Sequence, residues 1–103
     1  MRTTKAEMSR LRAAVEERAD GACEFCGDAF GWGMRLQPEL HHRKLRSRGG
    51  RNTLENCVLV HMLCHLRAHQ YPEWATEAGW MVASWDNPAE VEVRVIPRKR
   101  FTR

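Results

Sequence analysis

The sequence predicts a small α+β domain in which two short strands and a following helix carry the candidate chemistry. Three observations predict this class. A helical apolar pattern opens the chain, two β-type segments follow at 38–43 and 56–60, and a helical pattern with histidines four residues apart comes directly after them. The 103 residues suit one domain, 1–103, which would bury only about 60–65% of its unfolded surface. A domain of this size gains stability from a bound metal ion.

The first element is an amphipathic helix over residues 4–19. Thr4 and Glu7 have the spacing of a capping box, in which each side chain bonds the other residue's backbone. An apolar stripe recurs at helical spacing and is expected to pack on the core: Met8, Leu11, Val15 and Ala19. Asp20-Gly21 ends the helix.

Residues 22–71 are predicted to hold a zinc knuckle and the strand–strand–helix core. The knuckle is the turn Cys23-Glu-Phe-Cys26-Gly27, whose two thiolates can bind one Zn²⁺. The matching half is His61-x-x-Cys64, with the same gap of two residues. Cys57 competes with His61 for the fourth position, and we prefer His61 and interpret Cys57 as a small buried apolar residue. A redox role for the Cys-x-x-Cys is disfavoured, because the helix precedes this turn instead of following it.

Between the two halves lie the predicted strands. The first strand covers Pro38–Arg43, Gly49-Gly50 marks the tip of the loop, and the second strand covers Asn56–Val60 with its valines on one face. Asn52 is interpreted as an ordinary turn residue. The next helix covers 62–70 and ends before Tyr71-Pro72, because proline biases the preceding residue away from helix.

The C-terminal part, 72–97, is predicted as a short helix to Ala78, a stop at Gly79 and a β-hairpin of strands 80–84 and 91–95. Three tryptophans of this part are expected to pack in or at the edge of the core, in preference to acting as base-stacking platforms: Trp74, Trp80 and Trp85. Residues 98–103 are expected to form a basic tail.

The formal net charge is +4, and the basic residues are clustered. Segments 43–51 and 94–103 each hold five lysines or arginines and no acid. Taken alone, either segment fits a solvated loop as well as it fits a phosphate-binding loop. Because the first segment lies beside the candidate metal site, it is expected to bind phosphates. The candidate contacts are Arg43, Lys44, Arg46, Arg48 and Arg51, with Arg67 on the helix.

The histidines form a pattern with the asparagine between them: His41-His42, Asn56 fourteen residues later, His65 nine further and His69 four further. This pattern, from about Cys23 to His69, resembles the HNH (ββα-metal, His-Me finger) endonucleases, and among them the small stand-alone enzymes of bacteriophages that carry a zinc knuckle. Histidines four apart on a helix share one face, which favours a common cation.

The resemblance implies a role for each of these residues. His41, His65 and His69 would hold one catalytic divalent cation, and His42 would be the general base in a cleavage that gives 5′-phosphate and 3′-hydroxyl ends. Adjacent residues on a strand point to opposite faces, so His42 either lies where the strand bends or faces away from the metal. Asn56 would fix the loop and orient the base. A purely nitrogen set favours Zn²⁺, Ni²⁺ or Mn²⁺ over Mg²⁺. The structural Zn²⁺ would be held by Cys23, Cys26, His61 and Cys64.

The resemblance further implies DNA, expected to be double-stranded, as the partner. Two other functions fit parts of the pattern: a zinc-dependent DNA-binding module without catalysis, and an accessory factor that works with phage DNA-packaging proteins. A metallopeptidase is disfavoured, because Leu66 stands where a glutamate base would follow the first helical histidine.

The chain has no apolar run long enough for a membrane span, and its charged opening segment does not resemble a signal peptide. We therefore expect a location in the cytoplasm, the host cytoplasm if the protein is phage-encoded. Thiols there are reduced and available to metals. The sequence leaves monomer and dimer open.

Overall fold

The computed structural model describes residues 3–31 and 37–98. Its helices and strands are α1 (Lys5–Ala19), β1 (Pro38–His42), β2 (Cys57–His61), α2 (Met62–Gln70) and α3 (Pro72–Glu77), with short 3₁₀ turns at Arg46–Arg48 and Pro88–Glu90. The predicted α+β class and the strand–strand–helix order are confirmed. The limits of these helices and strands differ from the predicted ones by about one residue.

The first helix begins as the capping box predicts. The Glu7 amide donates to Thr4 Oγ1 at 3.1 Å, and the Thr4 amide donates to Glu7 Oε1 at 2.7 Å. Asp20, at φ 52°, terminates the helix in the left-handed conformation. This helix places Val15 and Ala19 against the sheet, where both are buried.

The two strands pair antiparallel, from Pro38 opposite His61 to His42 opposite Cys57. Every residue of β2 is buried, because both faces of this strand are covered. Cys57 and Leu59 pack against α1 on one face. Val58 and Val60 pack on the other face, as the alternation of the sequence predicts.

The core on that second face is built around two aromatic side chains. Phe25 of the knuckle stacks on Trp80, with ring centroids 4.1 Å apart and planes 4° from parallel. Trp74 contacts Trp80 edge-on at 4.8 Å. Trp80 is fully buried, as expected, but the expectation that Trp85 packs on the core is wrong, because 85% of Trp85 is exposed.

The predicted C-terminal hairpin is also wrong, since the structure assigns no strand to residues 80–97. The two segments bond the core separately instead of pairing with each other. The Val82 amide donates to the Arg43 carbonyl at 2.9 Å, and the Ile96 amide donates to the Phe25 carbonyl at 2.8 Å. Backbone donors that the core satisfies are not available for a ladder between the segments.

The predicted basic tail lies outside the described residues except for Arg98, whose Nε donates to Asp28 Oδ2 at 3.1 Å. Among the helices that the structure describes, none has the length and apolar character needed to cross a membrane.

Candidate metal and active site

Four sulfur and nitrogen ligands meet between the knuckle and the start of α2. Cys23, Cys26, His61 and Cys64 are all buried, and their ligand atoms lie within 4.8 Å of one another. Ligands of one tetrahedral Zn²⁺ are about 3.4–3.8 Å apart, so small movements would close this set around an ion. Four buried protein ligands would fill the tetrahedral coordination of Zn²⁺ and leave no position open for a substrate, as in structural zinc sites.

The orientation of His61 supports its place in this set over Cys57. Its Nε2 lies 3.2 Å from the Ala29 carbonyl, which can only accept, so Nε2 carries the proton. The unprotonated Nδ1 then faces the sulfurs, 3.3 Å from that of Cys26 and 4.0 Å from that of Cys64. Cys57 is fully buried on the other face of β2, among the residues that pack against α1.

The thiols of the cluster are close enough to influence each other's protons. A hydrogen bond with Cys64 lowers the pKa of Cys23 to about 5. The same bond, together with burial, raises the pKa of Cys64. The thiolate is the form that binds metal, so a lowered pKa suits Cys23 to the part of a metal ligand at neutral pH.

A second cluster joins β1 to α2. The ligand nitrogens of His41, His65 and His69 lie within 4.8 Å of one another. The three rings contact each other, with centroids separated by 4.8 Å (41 to 65), 5.7 Å (41 to 69) and 4.8 Å (65 to 69). His41 is buried, His65 is half-buried and His69 is exposed, so the cluster opens to solvent on one side. An open side is what a catalytic metal site requires.

Two hydrogen bonds fix which ring nitrogens face the centre of this cluster. The Trp80 carbonyl accepts from His41 Nε2 at 2.9 Å, which leaves His41 Nδ1 unprotonated. Glu39 Oε1 lies 2.7 Å from His65 Nδ1, which leaves Nε2 for a metal. Carboxylates and carbonyls that orient histidine ligands in this way are usual around metal sites.

Sequence reasoning missed Glu39. The available signal was strand alternation, since residues two apart on a strand lie on the same face, and Glu39 is two residues before His41. The role of the Trp80 carbonyl had no such signal, because the residue is distant in sequence and acts through its backbone.

Burial also sets the charge of these rings. Burial, together with the neighbouring His65 and His69, lowers the pKa of His41 to about 3. Burial and His65 likewise lower the pKa of His69. Both rings are therefore neutral at pH 7, which is the state in which imidazole binds a metal.

His42 is the last residue of β1, and its half-buried ring makes a different contact. Its Nε2 lies 2.7 Å from Asn52 Oδ1, and Asn52 Nδ2 donates to Thr3 Oγ1 at 2.9 Å. With its amide oriented in this way, Asn52 accepts from His42 Nε2–H, and His42 Nδ1 carries the lone pair. The sequence predicts only a turn residue at Asn52, whereas in the structure its side chain also bonds the His42 ring.

Asn56 is buried and ties the ends of the basic loop together. Its Oδ1 accepts from the Lys44 amide at 2.7 Å, while its Nδ2 donates to the carbonyls of Lys44 at 3.1 Å and Arg51 at 3.0 Å. An amide is suited to this, because it donates and accepts at once. The bond to Arg51 also positions the neighbouring Asn52.

The prediction that Arg43 contacts a phosphate is wrong. Only 3% of this residue is exposed. Its guanidinium donates to the carbonyls of Gly79 at 2.8 Å, Glu55 at 2.9 Å and Pro88 at 3.2 Å, and to that of Val91. Arg43 therefore fastens the C-terminal segment to the sheet.

The other loop cations differ in exposure. Arg46, Arg48 and Arg51 are exposed, and the half-buried Lys44 donates from Nζ to the Asp86 carbonyl at 3.1 Å. On α2, the guanidinium of Arg67 lies over the Tyr71 ring at 4.9 Å and the Trp74 ring at 5.0 Å. A phosphate contact by Arg67 stays a prediction.

Two comparisons with known proteins bear on this site. Residues 23–71 match the family model described as HNH endonuclease. The matched segment includes both metal-ligand clusters, the two strands and the basic loop. A search of curated proteins finds no significant match to the chain.

Proposed function

We propose that the protein is a metal-dependent endonuclease that hydrolyses phosphodiester bonds in double-stranded DNA, on the basis of the match of residues 23–71 to the HNH endonuclease family model. The observation that carries the proposal is the convergence of His41, His65 and His69 into one cluster, open to solvent on one side. A module that only bound DNA would have no use for an open metal site.

The three imidazoles of this cluster would hold one divalent cation. When bound, the cation would stabilise the charge on the scissile phosphate and on the departing 3′-oxygen. The hydrogen bonds that His65 donates to Glu39 and His41 donates to the Trp80 carbonyl orient the ligand nitrogens before a metal binds. Because all three protein ligands are nitrogens, Mn²⁺, Ni²⁺ or Zn²⁺ should support activity at lower concentrations than Mg²⁺.

His42 is the proposed general base. Its Nδ1 would take a proton from a water molecule, whose oxygen then forms a bond to phosphorus while the bond from phosphorus to the 3′-oxygen breaks. The departing 3′-oxygen would take a proton from solvent, so the products would be a 5′-phosphate and a 3′-hydroxyl. Asn52 acts as a positioning residue, because its 2.7 Å contact holds the His42 ring by the other nitrogen.

The exposed arginines of the loop would contact the DNA backbone on either side of the cleaved bond. Arg46, Arg48 and Arg51 lie on one loop whose ends are held by Asn56. Such contacts position the duplex without reading its sequence. Affinity should therefore fall steeply with salt, because bound counterions are released when the cations neutralise phosphates.

The Cys23, Cys26, His61 and Cys64 cluster would hold a structural Zn²⁺ away from the reaction. It joins the knuckle to the first turn of α2, the helix that presents His65 and His69. Zinc there would fix the position of two of the three catalytic ligands.

The test is incubation of supercoiled plasmid with the purified protein and with Mg²⁺, Mn²⁺, Ni²⁺ or Zn²⁺ added in turn. We expect nicked or linear product with at least one cation. The His42→Ala variant should lose about 100-fold or more of this activity, while its melting temperature and zinc content stay unchanged.

Arg12→Ala, on the exposed face of α1, is the matched surface control and should retain activity. Absence of cleavage with every cation would contradict the nuclease proposal and favour a DNA-binding module. Full activity of His42→Ala would reject its role as the base but leave the nuclease proposal standing.

A further inference from the structure

Trp85 is a large apolar side chain that the domain leaves exposed. Its exposed fraction is 85%, whereas Trp80, five residues earlier, is fully buried. Trp85 lies in a turn that the Asp86 amide closes by donating to the Ala83 carbonyl at 3.0 Å. An exposed indole of this size forgoes the free energy of burial, and its large flat surface is available to a ligand outside the core.

The surroundings of Trp85 connect it to the candidate active site. It lines a cavity of about 410 Å³ together with the metal-ligand candidate His69 and the loop cation Arg48. It also lines a second cavity, of about 460 Å³, together with Lys44 and Arg51. The indole thus borders two cavities, each lined in part by basic side chains of the loop.

The turn that carries Trp85 is fastened to the basic loop. Lys44 Nζ donates to the Asp86 carbonyl at 3.1 Å on one side of the indole. On the other side, the Val82 amide donates to the Arg43 carbonyl at 2.9 Å. The backbone of the turn that carries the indole is therefore fastened to the loop that carries the proposed phosphate contacts. A turn fixed before binding lowers the entropy lost when a ligand binds.

We propose that Trp85 is a nucleobase-stacking residue, whose indole contacts a base of the DNA strand that passes between the basic loop and the metal cluster. This rests on the proposed function and adds a base contact to it. Bases stack on exposed aromatic side chains regardless of sequence, because every base has a π face. An exposed aromatic side chain can reach a base where the duplex is bent or unstacked.

A consequence follows for the substrate. The contact requires an accessible base face beside the cleaved phosphate, so DNA with an unpaired or weakly stacked step at that position should bind more tightly than a regular duplex. Stacking tolerates every base type, so this preference is for local deformability and not for a base sequence.

The experiment measures binding of fluorescently labelled DNA by anisotropy, in the His42→Ala background so that the strand stays intact. Duplexes with and without a central two-base bulge are compared for Trp85, Trp85→Phe and Trp85→Ala. We expect Trp85→Ala to bind the bulged duplex between about 5-fold and about 150-fold more weakly, the range for loss of one stacked base. Trp85→Phe should stay within a few-fold of the parent.

Val95→Ala is the matched control, because Val95 is 59% exposed but borders a different cavity. Its affinity for both duplexes should equal that of the parent. A series of duplexes with one abasic nucleotide moved along the bulge adds a readout that does not depend on any folding defect. One abasic position should weaken the Trp85 protein and leave Trp85→Ala unchanged.

Equal affinities of Trp85 and Trp85→Ala for the bulged duplex would overturn the stacking proposal. So would an abasic series in which no position affects the Trp85 protein. If the unsubstituted protein cleaves plasmid in the same preparation, either result leaves the nuclease proposal intact. If it neither binds nor cleaves DNA, both proposals fall together.

Discussion

Cys64 and Cys57 offer a matched pair for testing the zinc cluster. Both are cysteines with no exposed surface, seven residues apart in the sequence. They differ in what they face, since Cys64 belongs to the four-ligand cluster and Cys57 packs against α1. Replacement of each by alanine removes the same sulfur atom, so the difference between the variants isolates the contribution of the metal.

The expected effects differ by an order of magnitude. A structural zinc site contributes about 10–16 kcal/mol of apparent binding free energy, while domains of this size unfold at a cost of about 5–15 kcal/mol. Loss of one ligand in Cys64→Ala should therefore leave the protein unfolded at 25 °C. Cys57→Ala loses only the packing of one sulfur, about 1 kcal/mol, which corresponds to a fall of about 4–8 °C in melting temperature.

The assay combines zinc content of the purified protein with thermal unfolding followed by circular dichroism. We expect one tightly bound zinc in the unsubstituted protein and in Cys57→Ala, and none in Cys64→Ala. A Cys64→Ala variant that keeps its zinc and melts like its parent would refute the reasoning. Loss of zinc from Cys57→Ala would instead show that the fourth ligand had been assigned to the wrong residue.

Three further predictions concern the loop and the histidine cluster. Arg43→Ala should lose about 4 kcal/mol or more of stability, since it leaves four backbone carbonyls without their donor, whereas Arg48→Ala should change the melting temperature little and weaken DNA binding instead. Asn52→Ala should lower kcat by about 10- to 100-fold through a misplaced base, with activity largely retained in Asn52→Asp, and an unchanged kcat would count against positioning. Glu39→Gln should weaken metal binding by about 10- to 100-fold in calorimetric titration, and an unaltered affinity would show that His65 needs no orienting carboxylate.

Much of the architecture could be predicted from the sequence, because it depends on neighbours along the chain. The capping box at Thr4 and Glu7 and the stop at Pro72 are local effects, and the structure confirms both. Both candidate ligand clusters could also be predicted from the sequence. A helix brings residues four apart together, and a knuckle turn brings residues three apart together.

The C-terminal segment shows where this reasoning fails. Alternating apolar residues predicted a hairpin. In the structure the backbone amide of Val82 donates to the Arg43 carbonyl, and that of Ile96 donates to the Phe25 carbonyl. Periodicity reports which faces are apolar and does not say which partner a backbone amide will find. Trp85 was assigned to the core for a similar reason, because hydrophobicity alone does not distinguish a buried indole from an exposed one.

The sequence by itself determined the chemical groups of this protein: two sets of candidate metal ligands, a loop of positive charge and the strands and helix that carry them. Only the tertiary structure decided what holds those groups in place. Three hydrogen bonds orient the histidine rings: His65 to Glu39, 26 residues apart; His42 to Asn52, 10 apart; and His41 to the Trp80 carbonyl, 39 apart. The same holds for Arg43, whose burial depends on a segment up to 48 residues away. Hydrogen bonds depend on distance and angle in space, and those are fixed only when the chain has closed around its core.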